Sequence, residues 1–183
     1  MFLVLALRDA VFLAVAVALW QLAAQRTAAD DVLADFAGLL LGLAVGAGGY
    51  LLHEWGHLLG AFATRSRVAA PETLWSPFLF SFDSKQNDLR QFGVMSAGGF
   101  AATALVIFAF YSYLPDGLLA TRIARGVVLV GAFLTVVIEL PLVGYALLGR
   151  GLPPVENGIH RRVRAARPER RPEAGESTES AAA

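Results

Sequence analysis

The stretch that decides the fold is residues 36–63, which read FAGLLLGLAVGAGGYLLHEWGHLLGAFA. This stretch is longer than the roughly 20 apolar residues that a helix needs to cross a bilayer. Glu54 is its only formally charged residue, and His53 and His57 stand beside it. Because a charged side chain inside a membrane costs on the order of a few kcal/mol, the three residues require a functional explanation.

Three further apolar stretches are long enough to cross a membrane. The four predicted spans are about 2–24, 36–63, 92–114 and 118–148, and the pair Arg8–Asp9 interrupts the first. The chain of 183 residues is 56% hydrophobic and 16% charged, with a mean hydropathy of +0.58, whereas soluble domains carry about 25% charged residues. The sequence therefore predicts an all-α, polytopic membrane helix bundle of about four transmembrane helices. Its expected partner is the lipid bilayer, and no nucleic acid is expected.

Charged residues are distributed unevenly along the chain. Residues 1–150 are predicted to form the transmembrane domain, and residues 151–183, rich in Pro, Arg and Glu, a disordered tail. Cytoplasmic loops carry an excess of Lys and Arg. The richer side holds Arg65, Arg67, Lys85, Arg90 and the seven arginines from Arg150 onward. We therefore expect an integral protein of a bacterial-type inner or plasma membrane, with both termini in the cytoplasm.

His53-Glu54-Trp55-Gly56-His57 fits the pattern His-Glu-x-x-His. On a helix, residues four apart lie on one face, so both imidazoles can bind one metal ion. Glu54 can act as the general base that takes a proton from water activated by the metal. The pattern predicts a Zn²⁺ site with His53 and His57 as ligands and Glu54 as the catalytic residue. Cysteine is absent from the chain, which excludes thiolate ligands and cysteine nucleophiles.

The sequence around this motif, from Gly46 to Phe62, resembles the motif helix of the site-2 protease family of intramembrane zinc proteases. The segment 95–102, MSAGGFAA, looks like the small-residue-rich helix that follows in that family, although the family's usual Pro and Asn are missing. The resemblance covers roughly residues 36–148 and suggests a minimal, divergent member. It implies hydrolysis of peptide bonds in membrane-embedded or membrane-proximal substrates. It also implies an aspartate as third metal ligand, in an Asp-Gly pair such as Asp116–Gly117.

Helix direction favours a different acid as the third ligand. If the spans alternate in direction, spans two and four run parallel, and Asp116 lies where span four begins. The histidines lie about 26–32 Å along span two, and Glu139 lies about 32 Å along span four. We therefore predict Glu139, the only acid in that span, as the third ligand, with Asp83 as the alternative. The other open alternative is that Glu139 pairs with an arginine such as Arg8.

The segment between spans two and three is predicted to form a loop or a short hairpin. Phe80, Ser81, Phe82 and Asp83 alternate aromatic and polar side chains, as a strand does, and an interfacial loop anchored by phenylalanines is the alternative. An extended edge here could pair with an unwound substrate through main-chain hydrogen bonds. We therefore predict that these four residues bind a membrane protein or peptide substrate.

Small residues recur at four-residue spacing in the second span, at Gly38, Gly42 and Gly46 and again at Gly56 and Gly60. Such positions let membrane helices approach closely, where lipid supplies no hydrophobic drive between them. This pattern predicts close helix packing and carries no information about catalysis.

Two other functions remain open. CAAX-type membrane zinc endopeptidases use a downstream glutamate ligand, but they have substantial polar helical structure around the site, and the apolar sequence here favours the site-2 resemblance. A catalytically degenerate metal-binding membrane protein could hold clients without cutting them. The presence of Glu54 argues against that function, because a pure metal binder has no use for a general base.

Overall fold

The computed structural model describes residues 1–25, 32–149 and 151–152, and these residues are mostly helical. The helices are α1 (Phe2–Gln25), α2 (Val32–Ala63), α3 (Leu89–Tyr113), α4 (Leu119–Leu134) and α5 (Leu140–Leu147). A π-helical segment, Thr135–Glu139, joins α4 to α5. Two short strands, β1 (Val68–Ala69) and β2 (Ser81–Phe82), lie between α2 and α3.

Four helical stretches are long enough and apolar enough to cross a membrane: Phe2–Ala23, Ala34–Ala63, Leu89–Tyr113 and Leu119–Leu147. They confirm the predicted all-α, polytopic bundle, with a short hairpin between the second and third helices. Helix α1 continues through Arg8 and Asp9 without a break. The predicted tail lies outside the described residues from position 153 onward.

Helix α2 is the centre of the bundle and contacts α1, α3 and α4. A Cβ added at Gly42 or Gly46 would lie 2.6 Å from the Cβ of Ile123 or Val127 on α4. A Cβ added at Gly56 would lie 2.5 Å from the Gly98 carbonyl oxygen on α3. Because real side chains cannot approach so closely, the glycines allow the helices to touch, as their spacing predicts.

The strands of the α2–α3 connection pair antiparallel, with Val68 opposite Phe82 and Ala69 opposite Ser81. The predicted strand over residues 80–83 is therefore present but limited to two residues. Asn87 holds the two sides of the connection together, since its amide nitrogen donates to the carbonyl oxygens of Arg67 and Asp83, both at 2.8 Å. Phe82 is buried in a cluster that includes residues of α2, α3 and α5.

The start of α3 is fixed by a capping box. Asp88 Oδ1 accepts a hydrogen bond from the Gln91 amide, and Gln91 Oε1 accepts one from the Asp88 amide, both at 2.8 Å. This reciprocal pair satisfies amides that have no partner in the first turn of a helix. Gln91 also donates to the Thr64 carbonyl oxygen at 3.2 Å, which ties the start of α3 to the end of α2.

The π-helical segment ends at Glu139, two residues before Pro141. Proline has no N–H with which to continue the regular hydrogen-bond ladder. The Leu140 amide instead donates to the Thr135 carbonyl oxygen, five residues back. The span therefore stays helical around Pro141 while its spacing changes, and Glu139 is the last residue of the altered turn. Single π turns of this kind are frequent at functional sites.

Candidate metal centre

Three potential ligands from α2 and the π-helical segment converge on one point. His53 Nε2 lies 3.0 Å from Glu139 Oε1 and 3.0 Å from His57 Nε2. His57 Nε2 lies 3.2 Å from Glu139 Oε2. The structure thus brings Glu139 to the level of the motif histidines, as the argument from helix direction expects. This group could hold a metal ion.

The opposite nitrogen of each imidazole faces helix α3. His57 Nδ1 lies 3.0 Å from the Met95 carbonyl oxygen. His53 Nδ1 lies 3.1 Å from the Gly99 carbonyl oxygen and 2.8 Å from Thr103 Oγ1. A carbonyl oxygen can only accept a hydrogen bond, so Nδ1 carries a proton in each ring, and a ring without a second proton presents its lone pair at Nε2. This arrangement is typical of histidines that bind a metal through Nε2.

The Nε2 atoms of both imidazoles and a carboxylate therefore face one another at hydrogen-bonding distance. Glu139 Oε2 is buried and receives no hydrogen bond within the described part of the chain, although His57 Nε2 is close to it. A cation at the centre would satisfy all three groups. Two nitrogens bound to one Zn²⁺ at about 2.0–2.1 Å with tetrahedral angles lie about 3.3 Å apart, and the three observed separations are close to that value.

Small residues of α3 make room for the histidine rings. A Cβ added at Gly99 would overlap the imidazole of His57. Gly99 belongs to the segment 95–102 that the sequence singles out for its small residues, and the Met95 and Gly99 carbonyls that orient the rings belong to it too. This segment therefore seats and orients the ligands through its main chain, without the Pro and Asn that the family resemblance implies.

Glu54 is not one of the three potential ligands. Its side chain is buried, and its Oε2 accepts a hydrogen bond from the amide of Leu79 at 3.3 Å. Leu79 belongs to the α2–α3 connection and is itself buried. The Tyr50 hydroxyl donates to the Pro77 carbonyl oxygen at 2.9 Å, so α2 holds the connection over the site at two neighbouring points.

The other acids considered for the third position lie elsewhere. Asp116 pairs with Arg125 Nη1 at 2.6 Å, and its side chain is 89% exposed. Asp83 accepts hydrogen bonds from the Lys85 amide and the Gln86 side chain, and the Lys85 amide is the main reason that the pKa of Asp83 is lowered. Arg8 does not pair with Glu139, because its Nε lies 2.7 Å from Asp9 Oδ1.

The residues predicted to bind substrate divide into two groups. Phe80 and Phe82 line a cavity of about 620 Å³ that also contains Glu54 and the three potential metal ligands. Ser81 pairs with Ala69 in the two-stranded sheet, and Asp83 takes part in the turn that follows. The substrate-binding role of all four residues stays a prediction.

The structure adds contacts that sequence reasoning missed. Asp9 is almost completely buried, at 2% exposure, and accepts a hydrogen bond from Trp55 Nε1 at 2.9 Å. Arg8 donates to the Leu74 carbonyl oxygen. Arg8 and Asp9 thus connect α1 both to the motif helix and to the α2–α3 connection. The sequence signal for these contacts was the interruption of an apolar span by two charged residues. For Thr103 there was no signal, since nothing in the sequence distinguishes it from other threonines in apolar helices.

Comparison with known proteins adds no further assignment to this arrangement. No protein-family model, no curated protein and no solved structure matches the chain.

Proposed function

We propose that the protein is an intramembrane zinc metalloprotease that hydrolyses peptide bonds of membrane-embedded or membrane-proximal substrates. The observation that carries the proposal is the convergence of the Nε2 atoms of His53 and His57 with the Glu139 carboxylate. Two histidines and one glutamate form an established ligand set of catalytic zinc, which leaves a fourth position open. The group lies within helices that can cross a membrane.

Glu54 favours an enzyme over a protein that only binds metal, because it can serve as the general base. It is a second carboxylate beside the ligands, it is not one of them, and it lines the same cavity. When bound, zinc polarises a carbonyl group and lowers the pKa of water that it activates. Glu54 would accept the proton from that water and pass it to the leaving amine. The Leu79 amide donates to Glu54 Oε2 at 3.3 Å and so helps to hold the carboxylate in place.

The surroundings of the site favour a substrate that is itself apolar. Beyond the ligands, Glu54, Tyr50 and Thr103, the cavity walls are mainly aliphatic and aromatic. Such walls exclude water and strengthen electrostatic interactions inside the site. An apolar segment of a membrane protein or a hydrophobic peptide would enter the cavity at little desolvation cost, whereas a charged segment would lose much more hydration energy.

The test is cleavage of a synthetic apolar peptide by the purified protein in liposomes, for wild type and Glu54→Gln. We expect wild type to cut the peptide and Glu54→Gln to be slower by roughly 100- to 10,000-fold, the usual contribution of a general base. The variant should keep its zinc, because Glu54 is not a ligand. Equal cleavage by both proteins would exclude Glu54 from the mechanism, and absence of cleavage across a panel of apolar peptides would contradict the proposal.

A CAAX-type endopeptidase activity is the second candidate, and one observation favours it. The acid facing the histidines is a glutamate on a later helix, which is the ligand that the CAAX-type enzymes use. Cleavage of a prenylated carboxyl-terminal peptide in preference to unmodified apolar peptides would favour this candidate over the first.

A further inference from the structure

The cavity that contains the metal ligands extends well beyond them. It is enclosed by α2, α3, α4 and the α2–α3 connection, and its volume is about 620 Å³, which is within the usual range of ligand sites. Apart from the ligands, Glu54, Tyr50 and Thr103, the lining residues with polar side chains are Ser96 and Thr135. The extension is therefore an apolar space with a few hydroxyl groups.

The extension runs along α4 away from the site. Gly131, Thr135 and Glu139 stand four residues apart and all line the cavity. Gly131 is eight residues before Glu139, or about 12 Å along a helix. Further from the ligands, Val127 on α4 and the facing Gly46 on α2 also line the cavity, and Gly46 is seven residues before His53, or about 10 Å. The cavity thus reaches about two helical turns from the ligands into the membrane-crossing part of the bundle.

Gly131 differs from the glycines that bring the helices together. A Cβ added at Gly46 would collide with Val127 at 2.6 Å, whereas one added at Gly131 would meet no atom within 4 Å. Helix packing therefore does not require a glycine at position 131. Gly131 is exposed and lines the cavity, so the missing side chain leaves open space at the edge of the cavity.

We propose that the extension binds an extended apolar segment of the substrate next to the bond that is cut, and that Gly131 determines the largest side chain accepted beside this position of α4. This inference rests on the proposed function for the identity of the occupant as a peptide. Bulky side chains such as leucine or phenylalanine would fill the space beside Gly131. The hydroxyl groups of Ser96 and Thr135 are placed to pair with main-chain groups of an unwound segment, which need partners in an apolar environment.

The experiment uses full-length Glu54→Gln protein, so that the probe is not cut, in phosphatidylcholine nanodiscs. The probe is a synthetic leucine–alanine peptide of about 20 residues, long enough to cross the bilayer, which carries one photoreactive benzophenone side chain. Crosslinked residues are located by mass spectrometry. We expect crosslinks on the α4 face around Gly131 and on Val106 of α3, which lines the same cavity.

Two matched variants test the role of Gly131. Adding Gly131→Leu should lower crosslinking at the cavity roughly tenfold or more, since a few methylene groups change apolar binding by that factor. Gly126→Leu is the control, because Gly126 lies in the same helix and, like Gly131, is exposed and has no atom within 4 Å of an added Cβ, but it does not line the cavity. Gel filtration and zinc content of each variant report whether it is folded.

A compensating probe makes the result specific for size. A peptide with a small diazirine side chain in place of the benzophenone should crosslink again in Gly131→Leu. Equal loss in Gly131→Leu and Gly126→Leu would overturn the inference, and so would crosslinks confined to lipid-facing residues. Preferential capture of a diazirine-labelled phosphatidylcholine acyl chain in the cavity would also overturn it, by showing a lipid occupant.

The same peptides separate this inference from the proposed function. They are offered to protein with Glu54 intact, and cleavage is measured. Crosslinking in the cavity without any cleavage would contradict the protease and leave the apolar binding site in place. Cleavage that is indifferent to residue size in both wild type and Gly131→Leu would leave the protease in place and contradict the role of Gly131.

Discussion

Two acids lie towards opposite ends of the last membrane-crossing span, and they differ in the side chains that they face. Asp116 lies just before α4, is 89% exposed and has the guanidinium of Arg125 at 2.6 Å. Glu139 lies at the end of the π-helical segment and faces two imidazole nitrogens. Asp116 is therefore neutralised by the protein itself. Glu139 has no arginine or lysine partner within the described part of the chain, and a metal ion held with His53 and His57 would supply the positive charge.

The partners of Arg125 show what the Asp116 end does. Its Nε donates to the Phe110 carbonyl oxygen at 3.1 Å and its Nη2 to the Leu114 carbonyl oxygen at 2.8 Å. Both carbonyls belong to the carboxyl-terminal end of α3, where helices leave acceptors without partners. The guanidinium also lies 4.8 Å from the centre of the Tyr111 ring. The Asp-Gly pair that the family resemblance points to is thus part of a structural turn.

The largest expected difference between the two ends is in metal content. Purified wild type should hold about one zinc ion per chain, and the double variant His53→Ala/His57→Ala should hold almost none, because it loses two of three ligands. The double variant Asp116→Ala/Arg125→Ala removes a pair of polar side chains at the other end and should keep its zinc. Both are compared by elemental analysis of protein purified without a histidine tag.

A smaller difference in zinc affinity is expected between variants of two threonines, one beside His53 and one beside Asp116. Thr103→Val removes the hydroxyl that lies 2.8 Å from His53 Nδ1 and should weaken zinc affinity about 10- to 100-fold, as loss of a partner behind a metal ligand does. Competition with a fluorescent zinc chelator measures this affinity.

Thr121→Val is the control for that change. Thr121 is fully buried and its hydroxyl donates to the Pro115 carbonyl oxygen at 2.6 Å, beside Asp116. Its replacement should lower the free energy of unfolding by about 1 kcal/mol and leave zinc affinity unchanged. Equal zinc affinities for the two variants would mean that the Thr103 contact does not orient His53.

The smallest effect is expected from Asp116→Asn alone. Exposed ion pairs contribute at most about 1 kcal/mol, and Arg125 keeps its two carbonyl partners when Asp116 is changed. Thermal unfolding in detergent should therefore differ little from wild type. A strongly lowered unfolding temperature would show that Asp116 has a structural role that its exposure does not reveal.

The sequence was sufficient to predict those features that depend on length and direction. Apolar run lengths predicted the four spans, and alternation of the spans was enough to bring Glu139 rather than Asp116 to the level of His53 and His57. Both inferences use only the rise of a helix and the thickness of a membrane. The four-residue glycine spacing likewise predicted which parts of α2 pack closely.

Contacts that depend on rotation of helices and on loop geometry could not be predicted in this way. Nothing in the sequence indicates that Asp9 reaches Trp55, or that the Leu79 amide reaches Glu54 across 25 positions of the chain. The strand predicted over residues 80–83 is limited to Ser81 and Phe82 in the structure, because alternation of side chains indicates an extended segment but not the length of its partner.

The most direct test of the metal centre is zinc affinity measured in parallel for wild type, Glu139→Gln and Asp116→Asn. Glutamine and asparagine keep the shape of each side chain and remove its charge. We predict that Glu139→Gln binds zinc far more weakly than wild type does, and that Asp116→Asn binds zinc as tightly as wild type does. Unchanged affinity in Glu139→Gln, or a loss in Asp116→Asn of the same size, would contradict this prediction.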